Sequence, residues 1–248
     1  MKITSALTII TMNKRKQKSR DAFTQWSKVW KAARDSDSTT IEQVLKICDE
    51  PFQVAWQRED WSLAPGFRKS HKEGGSDVGE QIIEKDLLGG TITTIGIHQI
   101  QKGKEKYPLV AFYNNCPLAC IRNGQVIADA FGVFVKGKQV HPLAIEVKDT
   151  ADDLWSVLVQ NLQQVKMARS SEKKIHQFLS KHHMPPSKGT WGLVLAPKDY
   201  YGHKKNVAQE KKCEALLKAL KATELRIAFG RSDYLKTHRI PIIMSNWD

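Results

Sequence analysis

Three side chains have the types and the spacing to do chemistry together: the carboxylates of Asp129 and Glu146 and the ammonium of Lys148. Two carboxylates brought face to face at the edge of an apolar layer do not both stay ionised without a partner. One such partner is Lys148, which strand alternation places on the same side as Glu146. Another is a divalent cation, because paired carboxylate oxygens completed by water and phosphate are the habitual Mg²⁺ environment.

The elements that must position these groups lie within residues 127–148, IADAFGVFVKGKQVHPLAIEVK. Residues 127–136 and 139–148 are rich in Val, Ile and Phe, the composition of buried strands. Gly137-Lys138 between them fits a two-residue hairpin turn with Gly first. That turn sets Val135 opposite Val140, Phe131 opposite Ala144 and Asp129 opposite Glu146. Opposed side chains lie about 5 Å apart, where like charges destabilise. Both faces of the hairpin are apolar, so it belongs inside the protein. Pro142 has no amide donor and marks an edge or bulge that would move the register by one. In that case Asp129 is a strand-end residue and Lys148 a plain ion-pair partner.

Asp129 on one strand and Glu146-Val147-Lys148 on the next resemble the motif of the PD-(D/E)XK nuclease superfamily. The Pro of that signature is Ala128 here, and the resemblance covers about residues 74–197. It implies an α/β, restriction-endonuclease-like fold: a mixed β-sheet flanked by helices. It also implies metal-dependent phosphodiester hydrolysis, with Mg²⁺, or Mn²⁺ in its place, held by Asp129, Glu146 and the Val147 carbonyl. Glu80, on the helix before the hairpin, would complete that sphere. Lys148 would position the attacking water and stabilise the charge of the phosphorane. Gln164 or Gln160, on the helix after, would help hold phosphate or water. Many relatives act as homodimers.

The formal charge of +13 favours a polyanionic partner, nucleic acid first and DNA ahead of RNA. Lys173, Lys181, Lys204, Lys205 and Lys211 would track the phosphate backbone with little base specificity.

The 248 residues divide by pattern into a basic helical accessory region, 1–70, and a nuclease-like domain, 71–248. Residues 1–12 lack the cleavage site and flank of a signal peptide. Met12 is an alternative start. Residues 14–20 are a basic run. Phe23, Trp26, Trp30 and Ala33 form one helical stripe. Thr40 and Gln43 make a capping box for a helix over 41–49, stopped by Pro51. Trp56 and Trp61 lie in an unassigned stretch, and 68–76 reads as a linker. Ser76 caps a helix over 77–88, with Glu80 on the side of Ile83 and Leu87. Strands follow at 91–100 and 109–113.

Thr150 caps a helix over 151–169 whose Leu154, Leu158, Leu162 and Val165 share one side. A basic helix over 172–183, a buried strand over 190–196, a polar loop over 200–206, a Lys-rich helix over 207–222 and strands at 225–229 and 240–244 complete the chain. The four cysteines lack zinc-pair spacing and read as reduced, which with no span of roughly 20 apolar residues points to a cytoplasmic protein without a membrane partner. No P-loop, nucleophile elbow or H-E-x-x-H occurs. Two other readings stay open. One is a non-catalytic nucleic-acid-binding protein whose acids serve structure. The other is an interaction subunit whose basic surface meets an acidic protein.

Overall fold

A computed structural model describes residues 23–36, 38–50, 79–89, 96–121, 124–149, 153–184 and 189–247. The basic run at 14–20, Trp56, Trp61, the linker, Ser76 and Thr150 lie outside them.

The helical elements are α1 (23–35), α2 (Ile41–Asp49), α3 (Glu80–Leu87), α4 (Leu154–Ser170), α5 (Glu172–Lys181), α6 (Lys198–Gly202) and α7 (Lys204–Leu220), with a 3₁₀ turn at Ser232–Thr237. The strands are β1 (Gly96–Lys102), β2 (Glu105–Ile121), β3 (Gly124–Lys136), β4 (Gln139–Val147), β5 (Trp191–Ala196), β6 (Ile227–Arg231) and β7 (Arg239–Ser245). Chain order is also spatial order. β1 to β4 pair antiparallel, β4, β5 and β6 parallel, and β6 and β7 antiparallel.

The sheet does not stay open. β1 pairs in parallel with β7, Gln99 opposite Arg239 and Gln101 opposite Pro241, and the seven strands close into a barrel. This overturns the expected restriction-endonuclease-like mixed sheet, which is an open layer with helices on its faces. Closure removes both free edges. It also seals an apolar interior of Phe134, Leu143, Ile145, Val147, Leu193, Leu195, Ile240 and Trp247, against which Leu87 and Leu88 pack.

The opposite face of the strands carries Phe131, Val133, Ala144, Val194 and Phe229, and α4, α5 and α7 cover it. The two apolar faces predicted for the hairpin therefore meet two different cores. Phe23, Trp30, Ala33, Val44 and Cys48 of α1 and α2 join the helical one. α4 ties both helices down, since Trp155 Nε1 donates to Ala33 O at 3.2 Å and Lys166 Nζ donates to Cys48 O. The capping box of α2 forms as predicted, with Thr40 N donating to Gln43 Oε1 and Gln43 N to Thr40 Oγ1.

The hairpin register also holds. Val135 pairs with Val140 and Phe131 with Ala144, and Gly137 turns the chain at φ +62°. Pro142 opposite Val133 causes no shift. Alternation from the turn points its nitrogen away from β3, and β5 begins only opposite Leu143, so no ladder bond is lost. The predicted loop at 200–206 is instead the end of α6 and the start of α7. Tyr200 is buried there, and Tyr201 Oη donates to Gly230 O at 2.9 Å, so the aromatics serve the core. Among the described residues no helix is long and apolar enough to cross a membrane.

Candidate functional site at the fork between β3 and β4

The ladder between β3 and β4 runs from the turn to Ala130 opposite Ile145, one step short of Asp129 and Glu146. Beyond it the strands part. β3 stays with β2 down to Gly124, while β4 stays with β5, Glu146 opposite Val194 and Val147 opposite Leu195. The Val147 N–H still points toward β3 and finds the Asp129 carboxylate, donating to Oδ2 at 2.8 Å. Asp129 and Glu146 thus sit at the mouth of a fork, on the face that Phe131 and Ala144 share.

Glu146 is fully buried yet surrounded by donors. Its Oε1 lies 2.8 Å from Lys148 Nζ and accepts from Gln160 Nε2 at 2.5 Å, and its Oε2 accepts from Gln164 Nε2 at 2.5 Å. Three donors, one of them charged, satisfy the hydrogen-bonding demand of a carboxyl buried from water. Lys148 is buried as well, and its Nζ also reaches Glu80 Oε1 at 3.3 Å. α3 and the end of β4 meet at that bond.

Three carboxyls, those of Asp129, Glu146 and Glu80, gather about the Lys148 ammonium. Burial and the Glu146 charge push the Asp129 carboxyl well above the usual carboxylate range, against the pull of Lys148 and the Val147 N–H, and buried Glu84 adds to the rise. Burial raises Glu80 as well, although Lys148 opposes it. For Lys148, burial works against the ammonium but is outweighed by Glu146 and Asp129, so its pKa rises.

The donor set matches a hard divalent ion in kind. Asp129, Glu146 and the Val147 carbonyl offer oxygen only, and Mg²⁺ characteristically takes one or two carboxylates and keeps several waters. A cation in the same place would offset the Glu146 repulsion that raises the Asp129 carboxyl. A cage of three acids is absent: no three His, Cys, Asp or Glu side chains are grouped to hold a metal among the described residues. Lys148 Nζ stands between Glu146 and Glu80 instead.

Gln160 and Gln164 point at Glu146. Behind them lies Asn161, fully buried, whose Nδ2 donates to Ala144 O at 3.2 Å and to Gln164 Oε1 at 2.8 Å. Asn161 and Glu84 escaped the sequence reading. The available signal for Asn161 was an amide on the apolar stripe, one turn from Leu158 and Val165.

The lysines proposed for backbone contact lie elsewhere. Lys173 and Lys181 are exposed on α5, and Lys204 and Lys211 on α7. Lys205 is paired with Asp153 at 2.9 Å. The first turn of α4 is not an open anion site, because Asn206, Gln209 and Asp153 accept from the N–H groups of Leu154, Trp155 and Ser156. The cysteines Cys48 and Cys213 are buried free thiols, and burial pushes both up to about 12.

Fold and site together define a helix-covered closed barrel with a buried carboxylate–lysine cluster where two strands diverge. Compared with models of protein families, with curated proteins and with solved structures, the chain matches none.

Proposed function

We propose that the chain is a metal-dependent nuclease that hydrolyses phosphodiester bonds, with DNA ahead of RNA as substrate. The observation that carries this reading is the meeting of Asp129, Glu146 and Lys148 at the fork, where burial and the Glu146 charge raise the Asp129 carboxyl. Their order along the chain resembles the PD-(D/E)XK motif, and that support rests on these residues alone, since the closed barrel is not the sheet the resemblance implies.

Asp129, Glu146 and the Val147 carbonyl would hold Mg²⁺ or Mn²⁺. Such an ion polarises a phosphoryl oxygen and acidifies a water. Glu146, held by its three donors, offers a fixed carboxyl on β4. Lys148 brings a permanent positive charge to the rim, where it can stabilise an oxyanion as charge builds on phosphorus. Glu80 also holds the Lys148 ammonium, at 3.3 Å, which limits where its donors can point. The exposed lysines of α5 and α7 would draw in the substrate by counterion release. A basic, thiol-reduced protein of this kind suits the cytoplasm.

The test is cleavage of linear, branched and single-stranded DNA and of RNA by the purified chain in millimolar Mg²⁺. Cleavage that EDTA abolishes, and that Glu146→Ala and Lys148→Ala each reduce at least about 100-fold, supports the reading. Undiminished cleavage by either variant removes it.

A second reading is favoured by one observation, the position of Lys148 Nζ between Glu146 and Glu80, where an ion would otherwise neutralise them. On that reading the acids and the lysine are a structural network in a non-catalytic nucleic-acid-binding protein. Salt-dependent binding without cleavage selects it.

A further inference from the structure

We infer that Asn161 is a positioning residue for Glu146: it sets the orientation of the Gln164 amide, and through it the donors that face one buried carboxylate. The hydrogen-bond order stands by itself. Its effect on cleavage rests on the nuclease reading.

The orientation follows from which atoms can only accept. The Ala144 carbonyl can only accept, so Asn161 must turn its NH₂ toward it, at 3.2 Å. The second hydrogen of that NH₂ goes to Gln164 Oε1 at 2.8 Å. With its oxygen engaged, Gln164 presents Nε2 to Glu146 Oε2. A reversed Asn161 would set oxygen against the Ala144 and Gln164 oxygens. A reversed Gln164 would set oxygen against a buried anion. Each link therefore fixes the next, from the backbone of β4 two residues before Glu146 to the carboxylate itself.

The surroundings favour this arrangement over a generic polar contact. Asn161, Gln164 and Glu146 are each 1 % exposed or less, so water does not compete for these bonds. Asn161 Oδ1 is buried without a partner among the described residues, so the amide uses both hydrogens and forgoes its acceptor. Space for it comes from Gly192 on β5, where an added Cβ would lie 2.2 Å from Asn161 Oδ1. The Gln160 bond to Oε1 does not pass through Asn161, and it serves as an internal control.

The test uses the full chain labelled with ¹⁵N, with side-chain amide signals assigned through Gln164→Met and Gln160→Met. In the wild type both glutamine NH₂ groups should resonate downfield and exchange slowly with solvent. Asn161→Ala should move the Gln164 pair and leave the Gln160 pair in place. The same variant should weaken Mg²⁺ binding, read by calorimetry, and lower kcat with little change in KM. Groups that orient metal ligands typically govern about 10- to 100-fold in affinity or activity. Asn161→Ser keeps one donor and should fall between; it also replaces Asn161→Ala as the test if that variant does not fold.

Unmoved Gln164 signals overturn the inference. So do moved signals with wild-type cleavage and Mg²⁺ affinity. A wild type that cleaves no substrate sinks the nuclease reading instead, and the Gln164 signals alone then decide whether Asn161 sets the amide.

Discussion

Asp129 Oδ2 accepts the backbone N–H of Val147 at 2.8 Å, a hydrogen bond that a carbonyl of β3 would otherwise receive. A side chain thus takes over a rung of the ladder at the point where the strands separate. The bond satisfies a strand-end donor and holds the carboxyl in the fork.

Lys148 and Glu146 are 8 % and 1 % exposed as side chains, so the ion pair between them is a buried one. Breaking it strands a charge. Lys148→Met alone should cost about 3–5 kcal/mol in urea unfolding. Lys148→Met combined with Glu146→Leu should recover most of that loss, because the charge left behind is then gone. Additive effects of the two changes would show that the pair is not coupled.

The raised carboxyl of Asp129 sets the sign of a pH effect. In the folded state it holds its proton above the unfolded value of 3.8, so between the two values the folded chain binds more protons. Stability therefore falls as pH rises from about the unfolded value through the folded one. Glu80 contributes in the same direction. Asp129→Asn keeps an oxygen for Val147 and loses the charge. Its melting temperature should exceed the wild type at neutral pH, and the gap should close toward pH 4. Millimolar Mg²⁺ should raise the wild type and not the variant. A gap independent of pH would contradict this account.

Gly96 fixes the seat of α3. A Cβ there would lie 1.7 Å from the Leu87 carbonyl oxygen, and His98 Nε2 meets that same oxygen at 2.7 Å. Gly96→Ala should push α3 off β1, lowering stability by about 1–3 kcal/mol as overpacking does. Because α3 carries Glu80, cleavage should drop as well. Gly202→Ala, with nothing within 4 Å, is the control and should unfold like the wild type.

The surface lysines should differ in a salt titration. Replacing Lys173, Lys181, Lys204 or Lys211 by Gln should each lower the slope of log K against log salt by about 1 if the residue meets phosphate. Lys205 is engaged by Asp153 at 2.9 Å, so Lys205→Gln should lower it less. Fluorescence anisotropy with a labelled duplex measures these slopes.

What could be read from the sequence was local. The register of the β3–β4 hairpin follows from one turn and strict alternation, and the α2 cap from Thr40 and Gln43. The contact of Lys148 with Glu146 follows from the same alternation. The closure of the barrel does not, because nothing in 96–102 or 239–245 says which edge each strand will choose. Tyr200 and Tyr201 sit among His and Lys, the composition of a loop, yet Tyr201 packs on the distant ring of Phe229 and Tyr200 on Tyr201. Asn161 was hidden for a related reason: its meaning depends on Ala144 and Gly192, on strands that only the folded chain brings under α4.

The seam between β1 and β7 also bears on synthesis. It joins the first strand to the last, through three residue pairs and the bond from Gln99 N to His238 O. A chain emerging from the ribosome must carry two unsealed borders until residues 239–245 appear, and Phe134 and Leu143 wait for Trp247 to shut them in. Contacts this distant along the chain form slowly. Removing the last strand would leave a ribbon of sheet with raw sides, prone to clump with its own kind.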